Sequence, residues 1–411
     1  MKTAVISDLH LGGSANGDLL RRPAIRALLL EATADCSRLI LLGDTIELRD
    51  RPLAEALEQS SPFFDGLGKH FDEIVMIPGN HDHRLLGNWI ERHLDDPAPT
   101  VELDAIVTDP HRAISKIADW VAPANLELRY PGFWVRDDVF ATHGHYLDSH
   151  LTLPTVERLS VAAVDRLSGR PTSQRDTPDD YEMRHAPVYD LLFNLAQGAR
   201  GDVADSNGQS VSMRLWDLVG GASGTARTIR GRLLGNTVIP AAIGLMERVG
   251  LGQFNRDFSL GEIGRAGVDA MHQVVESLSI EADHVIFGHI HRRGPLPGED
   301  GSSGAHPNWK RGRTRLHNTG SWLYVPIMLA AANPSNPFWP GRVIVVGESG
   351  PPEAIDLLDE TDRASFVALG AFKSPSALVQ RPGGRPTGDY TAQGSRKNKR
   401  GDLGGRERAE W

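Results

Sequence analysis

The chain of 411 residues is 40% apolar and 24% charged, a make-up that excludes a wholly disordered or fibrous protein and leaves material for a full core. Its one cysteine, Cys36, excludes an intramolecular disulfide. The formal charge of -9 is uneven: residues 374–411 carry eight Lys or Arg against four Asp or Glu, a net of +4, which leaves -13 on the rest. A body of that sign is not drawn onto long nucleic acid. No run approaches the roughly 20 apolar residues that span a bilayer, and the longest, 238–246, is interrupted by Pro240. The first apolar run begins almost at Met1, leaving no room for a secretory signal, so a cytoplasmic location is expected.

In chain order, Val5-Ile6 opens a strand, residues 19–31 carry helical spacing through Leu20, Ala24, Ala27 and Leu28, and 39–42 form a second strand, a βαβ opening. A crossover from about 52 to 70 leads to a strand at 74–77, with helices expected at 85–94 and 113–121. Residues 133–141 read as a hairpin turning at Asp137-Asp138. The next stretch has another character. Residues 154–167 read as a helix, and Val188, Leu191, Leu192 and Leu195 form a short apolar stripe. Polar linkers at 169–180 and 198–209 flank that stripe, and Val268, Met271, Val275 and Leu278 mark a returning helix. Strands follow at 285–287, 314–318 and 342–346, and from Ser374 the composition is that of a disordered basic tail. The expected domains are therefore a core in two parts, 1–148 and 281–373, an inserted mainly helical cap at 149–280, and the tail at 374–411. The class is α/β.

Seven of the sixteen histidines sit in four clusters, each closing an apolar run. Asp8-Leu9-His10 follows the first strand and Gly43-Asp44 the second. Gly79-Asn80-His81-Asp82-His83 follows the third, His143-Gly144-His145 the hairpin, and Gly288-His289-Ile290-His291 the last. Functional groups in open α/β sheets gather beyond the carboxyl ends of strands, and Asp, His and Asn are ligands for divalent metals. Residues i and i+2 of a strand share a face, so Asp8 with His10, and His289 with His291, can each grip one ion. Asp44 has two oxygens with which to bridge two ions, Asn80 adds a neutral oxygen and His143 an imidazole. Seven ligands with Asp44 shared give four contacts to each of two cations. Such a pair clamps a phosphoryl group and lowers the pKa of a bridging water towards about 7. No Gly-x-Ser-x-Gly elbow and no phosphate-cradling Gly-Lys loop competes with this reading.

The five blocks, in this order over residues 1–325, resemble the signature of the calcineurin-like metallophosphoesterases. The resemblance implies a four-layer α/β/β/α sandwich of two mixed sheets. It also implies that Asp8, His10, Asp44 and His291 hold one metal and Asp44, Asn80, His143 and His289 the other. His81 would protonate the leaving group through a ring oriented by Asp82, and a metal-bridging hydroxide would attack. Glu47 departs from the commoner Gly-Asp-x-x-Asp and is similar to the UDP-2,3-diacylglucosamine pyrophosphohydrolase branch, whereas His81 stands where that branch carries arginine. The expected cofactors are two divalent ions, manganese first and iron or zinc as alternatives. His145, Arg292 and Asn318 are candidates for substrate contact, each with an ordinary packing role as the alternative. The expected partner is a small phosphoester. An apolar tail on it is suggested by the aliphatic stretch at 233–254, and contact with an anionic membrane surface by the basic tail. The competing class is a non-catalytic module on the same fold, which the complete ligand set disfavours.

Overall fold

The computed structural model describes residues 1–13, 17–95, 101–151, 175–198, 260–299, 306–325, 329 and 335–361. Three parallel strands, β1 (Thr3–Ile6), β2 (Arg38–Leu42) and β3 (Glu73–Ile77), alternate with helices α1 (Pro23–Ala32) and α2 (Leu53–Phe64). Helices α3 (Asn88–Asp95) and α4 (Ala113–Val121) flank the short β4 (Asp104–Ile106). Then β5 (Asn125–Arg136) and β6 (Val139–Thr142) form the hairpin expected at Asp137-Asp138. Helices α5 (Pro178–Gly198) and α6 (Leu260–Ser277) precede β7 (His284–Phe287), β8 (Arg293–Gly294), β9 (Lys310–Arg311), β10 (Thr314–Thr319), β11 (Arg342–Val346) and β12 (Glu353–Asp356).

The strands run in the order β12-β11-β1-β2-β3-β5-β6-β7-β10-β8, with β4 on β5 and β9 on β10. Strand β5 is the hinge: Asn125–Leu128 pair parallel to β3, whereas Gly132–Arg136 pair antiparallel to β6. The two expected sheets are thus two halves of one curled mixed sheet. Period-two alternation makes the layers. Val5, Ile40, Leu42, Val75 and Ile77 meet Phe133, Val139, Ala141 and Ile286 between the halves. Their neighbours Ala4, Ile6, Leu39, Leu41, Ile74 and Met76 face outward onto α1, α2 and α4. On the other outer face, Val285 and Phe287 pack on Val268, Met271 and Val275 of α6, the face expected of that helix.

Two helical expectations shift. Leu19–Arg21 is a 3-10 turn and α1 begins only at Pro23, which has no N–H to give a preceding turn and so occupies the first position of a new helix. Its buried face is Ile25 and Leu29, while Leu28 is 41% exposed. In helix α5, Leu191 of the expected apolar stripe is 59% exposed and Val188 and Leu192 are half-buried, while Tyr181, Glu182, His185 and Tyr189 are buried. The expected helix at 154–167, the aliphatic stretch at 233–254 and the tail at 374–411 lie outside the described residues. Among the described residues no helix is long and apolar enough to cross a membrane.

Candidate metal centre

Five strand ends deliver the expected ligands to one place. The ligand atoms of Asp8, His10, Asp44 and His291 lie within 4.8 Å of one another, and so do those of Asp44, His143 and His289, with Asp44 common to both groups. Within the first group His291 Nε2 lies 3.1 Å from Asp8 Oδ1 and 3.2 Å from His10 Nε2. In the second, Asn80 Oδ1 lies 3.2 Å from both His143 Nε2 and His289 Nδ1. His143 Nε2 is 3.4 Å from Asp44 Oδ1.

The route to this convergence is not strand alternation. β1 ends at Ile6 and β7 at Phe287, so both ligand pairs lie beyond their strands. Asp8, His10, Asp44, His289 and His291 all take left-handed backbone, with φ of 55°, 45°, 48°, 67° and 54°. Non-glycine residues there cost on the order of 1 kcal/mol or more each, and persist only where surroundings enforce them. Here the loops are tied to one another: Asp8, Leu9 and His10 donate backbone N–H to the carbonyls of Gly43 and Asp44, and Gly288 donates to His143. Close approach also requires glycines. A Cβ at Gly43 would collide with the His143 ring, and one at Gly79 with Asp44.

Three ligand rings have their second nitrogen held, which fixes the one aimed at the centre. His143 Nδ1 donates to the Leu42 carbonyl at 2.9 Å, His10 Nδ1 to Glu47 Oε2 at 2.9 Å, and His289 Nε2 to Asp148 Oδ1 at 3.1 Å. What remains is a knot of lone pairs on carboxylates, imidazoles and the Asn80 oxygen, which faces only acceptors. Burial opposes protonation of His10, but its Glu47 hydrogen bond and the charge of Asp44 push its pKa up to about 9. Burial likewise opposes His143, but Asp44 pushes it up to about 9. The protein's own groups therefore draw protons into the knot, and divalent cations fit it with the same donors.

His81 stands beside the knot, its Nε2 4.0 Å from Asp44 Oδ2 and its backbone N–H on Asp44 Oδ1. The expectation that Asp82 orients its ring is corrected. Asp82 is buried and accepts from the backbone N–H of Gly79, Thr45 and Ile46, so it shapes two ligand loops, while His81 Nδ1 donates to Glu47 Oε2 at 2.7 Å. Burial and the Asp44 charge push Asp82 up to about 6. One carboxylate oxygen of Glu47 thus serves both His10 and His81, a role readable only as a departure at that position of the sequence.

The three substrate-contact candidates are otherwise engaged. His145 is buried against the Tyr130 hydroxyl at 2.9 Å, and burial holds its pKa well below the imidazole range. Arg292 turns inward onto Glu299 and lies 5.3 Å from the Trp309 ring centre. Asn318 donates to the Gly288 carbonyl and accepts from Gly320 N–H, bracing the loop before His289. Arg49, five residues past Asp44, is the cation that does reach the site, its guanidinium 3.2 Å from the Asn80 amide.

Among curated proteins none matches this chain. Among solved structures it is similar to a phosphopantetheinyl hydrolase, PptH, of Mycobacterium tuberculosis, at 12% identity over 78% of this chain and 89% of that one, with a TM-score of 0.27. The calcineurin-like phosphoesterase family model matches residues 1–213, which hold the first four ligand blocks, and the fold brings His289 and His291 to those blocks from beyond the matched span. With half of the sequence matched and a metal-binding arrangement at its strand ends, the chain belongs to the calcineurin-like phosphoesterases, metal-dependent hydrolases of phosphoesters.

Proposed function

We propose that the chain hydrolyses a small phosphoester at a two-cation centre, with Asp8, His10, Asp44 and His291 holding one ion and Asp44, Asn80, His143 and His289 the other. The observation that carries this reading is the pair of ligand groups sharing Asp44. When bound, two such ions supply Lewis acidity toward the phosphoryl oxygens and a water acidic enough to ionise near neutral pH. Mixed imidazole and carboxylate donors accept manganese, iron and zinc, and manganese is the first ion to try.

The chain's own residues account for the rest. Glu47, hydrogen-bonded to His81 Nδ1, keeps Nε2 facing the centre; burial lowers the pKa of this ring against the pull of Glu47 and Asp44, and in its doubly protonated form it would give the Nε2 proton to the departing oxygen and keep the Nδ1 proton on Glu47. Arg49, whose guanidinium borders the Asn80 amide, would pair with a phosphoryl oxygen. Asp82 keeps the loops of Asp44 and Asn80 together through its three backbone contacts. A non-catalytic module would not need an imidazole held in that way beside the ligands.

A general acid contributes about 10²–10⁴-fold and matters most for a poor leaving group. His81→Ala, assayed with added Mn(II), should therefore lose far more turnover on an alkyl phosphoester than on a nitrophenyl ester. Equal loss on both substrates removes the acid role.

The apolar-tailed substrate is a second reading that one observation favours. A cavity of about 400 Å³ between α3 and α5 is walled by Ile90, Leu94, Met183 and Ala186, and it is also lined by His83, two residues past His81. Met183→Glu should raise KM for an acylated ester and spare a small soluble one. Parallel loss on both removes the tail.

A further inference from the structure

Helix α5 buries a polar face, with Tyr181, Glu182, His185 and Tyr189 each no more than 3% exposed. Their spacing places them on one side of the helix. From that side α5 reaches the loops behind three ligand blocks. Glu182 accepts from His83 Nε2 at 2.8 Å, from the Tyr146 hydroxyl at 2.6 Å and from the Tyr130 hydroxyl. His185 Nε2 shares a hydrogen bond of 2.9 Å with Ser149 Oγ, and His150 Nε2 one of 2.6 Å with the Tyr181 hydroxyl. Tyr189 donates to or accepts from His185 Nδ1 at 2.9 Å and lays its ring under the Arg49 guanidinium, 5.1 Å from ring centre to Cζ.

Those contacts lie against the second ligand group, and toward the first they reach through the Arg49 backbone N–H, which donates to the Glu47 carboxylate that holds His10. Tyr146, Ser149 and His150 bracket Asp148, and Asp148 holds His289. Arg49 borders Asn80. Both His289 and Asn80 belong to the second proposed ion. Among the described residues, the side-chain hydrogen bonds and ion pairs of Asp8, His10 and His291 go to Ser7, Asp44, Glu47, the His289 backbone and one another, and none goes to α5.

We propose that α5 is a splint for the second cation, with His185 and Tyr189 as positioning residues that act through Asp148 on His289 and through Arg49 on the phosphate seat. The inference rests on the two-cation reading above. A buried, hydrogen-bonded face of this kind has few alternative arrangements, because each partner lost leaves a polar group without solvent. Outer-shell partners of metal ligands typically carry 10–100-fold in metal affinity.

The test is a calorimetric titration of the metal-stripped full chain with Mn(II), repeated for inorganic phosphate on the loaded protein. His289→Gln identifies which of two Mn(II) steps belongs to the second ion. His185→Phe, which keeps an aromatic ring and removes both hydrogen bonds, should weaken that step about tenfold or more and leave the other within twofold. Tyr189→Leu should weaken phosphate binding, and Tyr189→Phe, which keeps the ring under Arg49, should restore most of it. Should His185→Phe fail to fold, Ser149→Ala removes the same contact from the other side, with the same selective loss expected. Two unchanged steps, or two steps weakened alike, in a folded variant overturn the splint alone. Wild-type protein that takes up only one Mn(II) overturns the two-cation reading, and the splint with it.

Discussion

The loops after β1, β2 and β3 bring to the centre two carboxylates, an amide oxygen and one imidazole, whereas those after β6 and β7 bring imidazoles alone. Among the proposed ligands the carboxylates thus come from the first half of the sheet, and imidazoles from both halves offset their charge. Burial alone would raise Asp8, and Asp44 would raise it further, yet His291 and His143 from the opposite half pull it below the usual carboxylate range. Asp44 is lowered well below that range against its own burial, through His143, His81 and His10. Each of the two ligand groups that share Asp44 draws on both halves. The centre is thus a property of the closed sandwich, and β5, which passes from one half to the other, is the connection that makes closure local in sequence.

The deepest break should come at the residue on which both groups depend. Asp44→Ala should abolish turnover and both metals while the protein stays folded, as read by elemental analysis and circular dichroism. Two ions retained with near-normal activity would contradict the bridge. Removing an imidazole from the other half should be gentler: His289→Gln should cost one ion of two, and loss of both would mean the halves are not separable in this way. A still smaller effect should follow from Gly79→Ala, whose added methyl collides with Asp44 and with the His143 ring across the seam between halves. About 10–100-fold weaker metal binding is expected, and affinity within twofold of wild type would show that the seam has slack.

The smallest effect concerns pH and the helix that braces loops of both halves. Burial lowers the pKa of His185 to about 4, against the pull of Asp148 and Glu182. A histidine depressed in the folded state favours folding above its unfolded value of about 6.5, and that contribution fades as pH falls toward 4. The melting temperature of the metal-free chain should therefore drop by a few degrees more between pH 6.5 and 4.5 in wild type than in His185→Phe. Identical slopes would place His185 in contact with water.

Much of this was legible in the sequence because strand ends announce themselves. Apolar runs such as Leu39–Leu42 and Glu73–Ile77 are bounded by glycine, and the polar residues that follow have little reason to sit there other than chemistry. The Asp137-Asp138 hairpin and the buried face of α6 were readable for the same reason, since local pattern and tertiary role agree. The misread parts are those where they conflict. Helix α5 shows an apolar stripe in the sequence, but the neighbours it must satisfy are His83, Tyr130, Tyr146 and Ser149, so the face it buries is a polar one that the stripe does not announce. Arg292 and Asn318 follow or face the last ligand block and look poised for phosphate, yet inward hydrogen bonds claim both. The exchange of roles between Asp82 and Glu47 depends on which carboxylate meets backbone N–H groups, and spacing does not encode that.

The left-handed backbone at five of the seven proposed ligands has a consequence for how such a protein can change over generations. Each of these positions would be more comfortable as glycine, which pays nothing for positive φ. A duplicate copy freed from hydrolysis could therefore shed its ligands along a downhill path, relieving backbone strain and like-charge crowding at once while the sandwich stays intact. Asp and His at all five of these sites therefore run against the backbone's own preference, a local cost in stability that the proposed metal centre would account for.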